Sequence, residues 1–123
     1  MRILVVDDDP FAGEMTAAVL EDLGHEPVLA ENGVEALELL AGDPEVSIVI
    51  SDQNMPMITG IELFRELRAQ GVTLPFILLT GDDPAGPSRE EPALDACLMK
   101  DFTLDERLPE VLLAVLARHG LSH

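Results

Sequence analysis

The chain has 123 residues, with 24 acids against 7 bases and a formal net charge of −17, so DNA, RNA and anionic membrane surfaces are poor direct partners. That balance suits Mg²⁺ or a basic protein surface instead. With 47% hydrophobic and 25% charged residues, the composition is that of a globular domain, read as a single one over residues 1–123.

The chain holds four Phe, no Trp and no Tyr, so its core rests on Leu, Val, Ile, Ala and Met. Its single cysteine, Cys97, allows no internal disulfide and fits a reducing compartment. Only four apolar residues follow Arg2 before the acids begin, too few for a signal peptide. The longest apolar runs are strand-sized, so no segment reads as membrane-spanning. The expected location is the cytoplasm.

In chain order, Ile3–Val6 reads as a first strand, ending against Asp7, Asp8 and Asp9. Asp9 caps a helix whose first residue is Pro10, where a missing N–H does no harm. Phe11, Met15, Ala18, Val19 and Leu23 recur at helical spacing and read as its inner face; Gly24 ends it. Pro27–Ala30 is a second strand. Asn32 and Gly33 turn into a second helix, with Val34, Leu37 and Leu40 inward, closed by Gly42 and Pro44. Val46–Ile50 is a third strand. Gly60 opens a third helix, with Ile61, Phe64 and Leu67 on one side. Leu74–Leu79 is a fourth strand, with Pro75 near its start, where a missing donor is tolerated.

Residues 82–92 hold Pro84, Gly86, Pro87 and Pro92 and read as loop with at most one ragged helical turn. The fourth helix is therefore expected to be short or absent. Leu94–Met99 is a fifth strand. Thr103 and Glu106 have capping-box spacing ahead of a last helix with Leu108, Val111, Leu112, Val115 and Leu116 inward. Pro109 inside it calls for a kink or a late start.

Strands 1, 3 and 4 are apolar throughout rather than alternating, as a parallel sheet covered on both faces requires. The fold class is therefore α/β: a doubly wound five-stranded parallel sheet of flavodoxin-like order 2-1-3-4-5. In such sheets ligands sit beyond the carboxyl ends of the strands. Those ends carry Asp7 and Asp8, then Ser51 to Asn54, then Thr80, then Lys100. Two carboxylates about 4 Å apart repel by roughly 4 kcal/mol at an effective dielectric near 20. Unless a cation or a proton joins it, such a cluster opposes folding, and a set of oxygen donors suits Mg²⁺. A divalent ion, a lysine and a threonine hydroxyl together can hold the oxygens of a phosphoryl group. The chain has no Gly-rich phosphate loop, so that phosphate is expected on the protein rather than on a nucleotide.

The stretches VVDDDP, IVISDQNMPMITG, ILLTG and LMKDF, in this order, resemble the receiver domain of two-component response regulators, of the chemotaxis-regulator kind. The resemblance covers essentially the whole chain. It implies that Asp52 accepts a phosphoryl group, and that Asp7, Asp8, Asp52 and the Asn54 backbone carbonyl hold Mg²⁺. Thr80 and Lys100 then contact the phosphoryl oxygens, Met55 and Pro56 shape the loop, and Gly60 allows the turn into the third helix. The implied donor is a sensor histidine kinase or a histidine phosphotransfer protein, with a downstream protein target. The domain signals rather than turning over an external substrate.

Two positions depart from the family pattern. The family usually has proline after the lysine, in a cis peptide; here it is Asp101. Three positions before the lysine it commonly has Tyr or Phe; here it is Cys97, which removes the swinging ring. Two other readings stand beside this one. Asp7 and Asp9 satisfy the D-x-D spacing of haloacid-dehalogenase-type phosphatases, although those enzymes are usually much longer. A non-phosphorylated pseudo-receiver that only binds a partner is the third, and an intact Asp52, Thr80 and Lys100 speak against it. Met15, Met55, Met57, Met99 and Cys97 read as packing. His25, His119 and His123 are assigned no chemistry.

Overall fold

The computed structural model describes residues 1–121. The elements follow in strict alternation: β1 (Arg2–Val6), α1 (Pro10–Asp22), β2 (Glu26–Ala30), α2 (Gly33–Gly42), β3 (Val46–Asp52), α3 (Gly60–Ala69), β4 (Phe76–Thr80), α4 (Ala85–Glu90), β5 (Ala96–Met99) and α5 (Leu104–Arg118). The five strands pair in parallel in the order β2-β1-β3-β4-β5. The expected architecture is the one found, with a fourth helix of only six residues.

The apolar strands serve two cores at once. Leu4, Val6, Val49, Phe76 and Leu78 pack with α2 and α3 residues such as Ala36, Ile61, Phe64 and Leu67. Ile3, Val5, Ile48, Ile50, Ile77 and Leu79 pack on the other face, with Leu20 of α1 and Leu108, Leu112, Val115 and Leu116 of α5. Successive side chains of a strand point to opposite faces, so an unbroken apolar strand is one covered on both sides. The predicted stripes of α3 and α5 lie inward as expected. His123 lies outside the described residues.

Three expectations fail here. The inner face of α1 is Gly13, Thr16, Ala17 and Leu20, whereas Phe11 and Met15 are exposed. Small residues let α1 lie close on the sheet: a Cβ at Gly13 would sit 3.6 Å from Asp7 and 3.7 Å from Leu29. Phe11, Met15 and Ala18 share the helical spacing but lie on the outer side, while Val19 and Leu23 pack partly buried against the core as expected. Val34 of α2 is likewise exposed, and Ala36 takes the buried place. Of the methionines read as packing, Met55 is buried, but Met15 and Met57 are exposed.

The caps also differ from expectation at one end of the chain. Asp9 caps α1 as predicted, accepting from the Phe11 amide at 3.0 Å. Thr103 forms no side-chain cap: its backbone is helical (φ −95°, ψ 0°) rather than extended, and its hydroxyl donates to Asp101. The capping box is instead at Thr59 and Glu62, ahead of α3, with amide-to-side-chain bonds of 3.2 and 2.9 Å. The same S/T-x-x-E spacing is present there in the sequence. Pro109 lies inside α5, which nevertheless starts at Leu104, so the start is not late.

Gly24, after α1, has φ +86°, a left-handed conformation that favours glycine at a helix end. Gly60 has a different reason to be glycine. Its φ is not positive, but a Cβ there would come within 2.6 Å of the Asp52 carbonyl oxygen and 2.4 Å of Leu78. The residue permits close approach of α3 to β3, not the turn itself. Gly60→Ala is expected to destabilise the fold by about 2 kcal/mol, because a backbone oxygen cannot move aside as a side chain can. Urea denaturation of the two proteins checks this, and an unchanged midpoint would contradict it.

Candidate functional site

The parallel sheet brings the carboxyl ends of β1, β3, β4 and β5 to one edge. Asp7 follows β1, and its backbone amide continues the ladder to the Ala30 carbonyl at 3.0 Å. Asp52 is the last residue of β3, a strand that runs two residues further than predicted. Thr80 ends β4. Lys100 follows β5, and its amide donates to the Thr80 carbonyl at 2.7 Å. Asp7, Asp52 and Thr80 are all buried, while Asp8 and Asn54 are exposed at the rim.

Carboxylate oxygens of Asp7, Asp8 and Asp52 all lie within 4.8 Å of one another. The Lys100 ammonium sits between two of them, 2.8 Å from Asp7 Oδ2 and 3.6 Å from Asp52 Oδ2. One oxygen of Asp7 also accepts from the Asp9 amide at 2.9 Å, and Asp52 Oδ1 accepts from the Asn54 amide at 3.4 Å. Burial pushes the Asp52 carboxyl above the ordinary carboxylate range; Lys100 opposes that push and the charge of Asp7 adds to it. Burial alone would lower Lys100, but its hydrogen bond to Asp7 and the charge of Asp52 outweigh burial and hold it above the usual lysine range. The lysine is therefore a firm cation in a pocket that otherwise carries excess negative charge.

The residues expected at the site thus converge on one pocket: Asp7, Asp8, Asp52, Thr80 and Lys100, with Asn54 beside Asp52. Asp9 is not in the acidic cluster, since its carboxylate caps α1. Thr80 Oγ1 accepts from the Asp82 amide at 3.2 Å, which ties it to the start of the following loop.

Some supporting residues escaped the sequence reading. Gln53 accepts from the Gly60 amide through its backbone carbonyl at 3.1 Å and from the Ile61 amide through its side chain at 2.9 Å. It thereby joins the first turn of α3 to the residue after Asp52. No periodicity marks such a contact, because it spans a loop. Met57 in that loop has φ +69°, and the Ile58 amide bonds to the Pro56 carbonyl across it at 2.8 Å. A methionine held in the left-handed region is a strained residue in a loop that carries the site. The Lys100–Asp101 peptide is trans, like every described peptide bond.

The family described as Response regulator receiver domain matches residues 3–111. The chain belongs to this family. It is a receiver domain of phosphorelay signalling, with an acidic phosphoacceptor pocket. Among curated relatives, it is 41% identical over 112 residues to the response regulator MprA of Mycobacterium avium, covering 88% of this chain and 48% of MprA. It is 40% identical over 107 residues to the sensor histidine kinase RcsC of Escherichia coli, covering 85% of this chain but 11% of RcsC. The chain therefore spans about half of MprA and only a small part of RcsC. Among solved structures, the response regulator TrrA of Thermotoga maritima, in complex with Mg²⁺-BeF, has a TM-score of 0.83 at 36% identity, covering 94% of this chain and 98% of that one. The chemotaxis response regulator CheY4 of Vibrio cholerae has a TM-score of 0.82 at 32% identity, with the same coverages. Membership of this family sets aside the dehalogenase-type reading of Asp7 and Asp9. No helix among the described residues is long and apolar enough to cross a membrane.

The pocket has a pH signature in the metal-free protein. Asp52 is raised in the folded state, so its ionisation costs stability once the pH exceeds the ordinary carboxylate value. Asp52→Asn is expected to be more stable than the parent at neutral pH without metal. The gain should shrink as pH falls through the raised value and vanish below the unfolded one, where both forms are neutral. Thermal melts across pH in a chelating buffer measure this; a gain that grew towards acid pH would contradict it.

Proposed function

We propose that Asp52 is the phosphoacceptor of this receiver domain, and that it takes the group from a phosphohistidine in an Mg²⁺-dependent in-line transfer. The observation that carries the reading is the position of Lys100, 2.8 Å from Asp7 and 3.6 Å from Asp52, in a pocket where three carboxylates crowd together. One lysine does not neutralise three acids, so the pocket has charge left for a divalent cation. Its donors are oxygens only, as Mg²⁺ prefers. Asp7, Asp8, Asp52 and the Asn54 backbone carbonyl would hold the ion. Bound there, it would offset charge on the transferring phosphoryl group.

The chain's own residues do the rest. Asp52 Oδ attacks phosphorus, and the bond from phosphorus to the histidine nitrogen breaks. Lys100 remains protonated and offsets charge on the phosphoryl oxygens. Thr80 can turn its hydroxyl to donate to one of them. Water later hydrolyses the acyl phosphate, so the domain promotes its own dephosphorylation. The donor is a sensor histidine kinase or a histidine phosphotransfer protein, and the output is a downstream protein target. A cytoplasmic setting fits Cys97 as an unpaired thiol. We read residues 1–123 as one receiver domain.

Acetyl phosphate with Mg²⁺ should add one phosphoryl group to the wild-type protein and none to Asp52→Ala, as seen by intact mass. Chelating the metal should abolish the reaction, and Asp8→Asn should require more Mg²⁺. Undiminished labelling of Asp52→Ala would overturn the assignment.

The output is expected to run through residues 81–95. Helix α4 buries no side chain, and its Pro84 N-cap makes no side-chain bond. Its far end is pinned to α3 by Arg65, which donates to Glu91 at 2.8 Å and to the Glu90 carbonyl at 3.3 Å. A helix so lightly held opens at low free energy, and about 1.4 kcal/mol of bias changes its population tenfold. Moving Thr80 towards a phosphoryl group pulls on the Asp82 amide bonded to it. Amide hydrogen exchange with and without beryllofluoride and Mg²⁺ should show altered protection over 81–95. Changes confined to the surroundings of Asp8 and Asp52 would contradict this route.

A further inference from the structure

We infer that Asp101 is a positioning residue for Lys100, through a turn made by its side chain. The inference rests on the phosphoacceptor reading above and assigns a role that reading does not contain. Lys100 must reach into the pocket from a loop of only four residues, itself the first of them, between β5 and α5. Nothing apolar anchors that loop. Asp101 and Phe102 are exposed, Phe102 to 93%, and Thr103 is only half-buried. Proline, which would fix the backbone by its ring, is absent.

Asp101 supplies the constraint in another way, because its amide, its carbonyl and one carboxylate oxygen are all bonded. Its amide donates to the Met99 carbonyl at 3.1 Å, and its carbonyl accepts from the Leu104 amide at 3.1 Å. Its carboxylate Oδ1 accepts twice from Thr103, from the amide at 2.9 Å and from the hydroxyl at 2.6 Å. The last two bonds close a side-chain turn over Phe102. They hold Thr103 with its hydroxyl turned back to the loop, while its backbone is helical (φ −95°, ψ 0°) rather than extended as in a side-chain cap. Asp101, the residue that follows Lys100, thus connects the end of β5 to the first turn of α5. The turn limits how far the Lys100 backbone can swing, and so where its ammonium stands between Asp7 and Asp52.

Charge and position predict opposite signs here, which makes the role testable. Asp101 is an anion near a pocket that receives an anion. Removing its charge alone strengthens binding of a phosphoryl mimic; removing the turn weakens it by misplacing Lys100. Asp101→Ala removes both. Asp101→Asn removes the charge but keeps an oxygen that can accept from Thr103. The probe is beryllofluoride at saturating Mg²⁺, titrated by calorimetry, with Mg²⁺ alone titrated separately. Asp101→Ala is expected to weaken beryllofluoride binding by about fivefold, the scale of one lost hydrogen bond, while leaving the Mg²⁺ affinity unchanged. Asp101→Asn should bind beryllofluoride at least as tightly as the parent. Thr103→Val, which keeps the amide and loses the hydroxyl, should fall between parent and Asp101→Ala, and it carries the test if Asp101→Ala does not fold. Parent-like binding by Asp101→Ala, equal weakening in Asp101→Asn, or a parallel loss of Mg²⁺ affinity would each overturn the inference. A parent protein that binds Mg²⁺ but not beryllofluoride would overturn the phosphoacceptor reading itself.

Discussion

Everything at the site depends on one ammonium placed between two carboxylates. Lys100 stands 93 residues from Asp7 in sequence and 2.8 Å from it in space. Without that cation, burial of Asp7 and Asp52 within reach of each other would force one to stay protonated or the strand ends to part. The pairing explains how the fold tolerates such a cluster before any metal arrives. It does not complete the neutralisation, and in the function proposed above that shortfall is what a cation and then a phosphoryl group would use.

The sheet is what delivers this geometry. Parallel strands put all their carboxyl ends on one edge, and right-handed crossovers through helices keep the connections clear of it. The two apolar cores, one on each face, hold β1, β3 and β4 rigid, because these strands have no exposed side. The polar residues begin where the cores end. Close approach matters as much as burial. Gly60 lets α3 touch the Asp52 carbonyl, and Gln53 fastens that helix to the same loop. The phosphoacceptor pocket is therefore braced from behind by α3 and from the side by the Lys100–Thr80 backbone bond.

The rest of the molecule is held more loosely. Helix α4 rests on an exposed ion pair and a few contacts with β5, and the loop after β5 rests on an exposed carboxylate turn. Cys97 stands where the family commonly has an aromatic ring. Its thiol is half-buried, and burial pushes its pKa up while a hydrogen bond with Ser88 of α4 opposes this, so it stays a neutral packing group. The contact does join β5 to α4, which gives the short helix one link to the sheet in place of a ring.

The sequence by itself determined the architecture and the members of the site. Unbroken apolar strands alternating with amphipathic helices admit little besides a doubly wound parallel sheet, and such a sheet must gather its strand ends at one edge. Asp7, Asp8, Asp52, Thr80 and Lys100 could therefore be named as neighbours from their places after the strands, and the family motifs agreed. What the sequence did not decide were contacts set by close approach rather than by period. The inner face of α1 is made of Gly13, Thr16 and Ala17, because the helix lies against the sheet, and spacing alone pointed to Phe11 and Met15. Thr103 has the spacing of a cap, yet its backbone is helical, while Thr59 has the same spacing and the extended backbone that a cap needs. Gly60 reads as a turn residue in sequence and is in fact a packing gap. Each of these depends on which atoms meet across the fold, and only the tertiary structure brings them together.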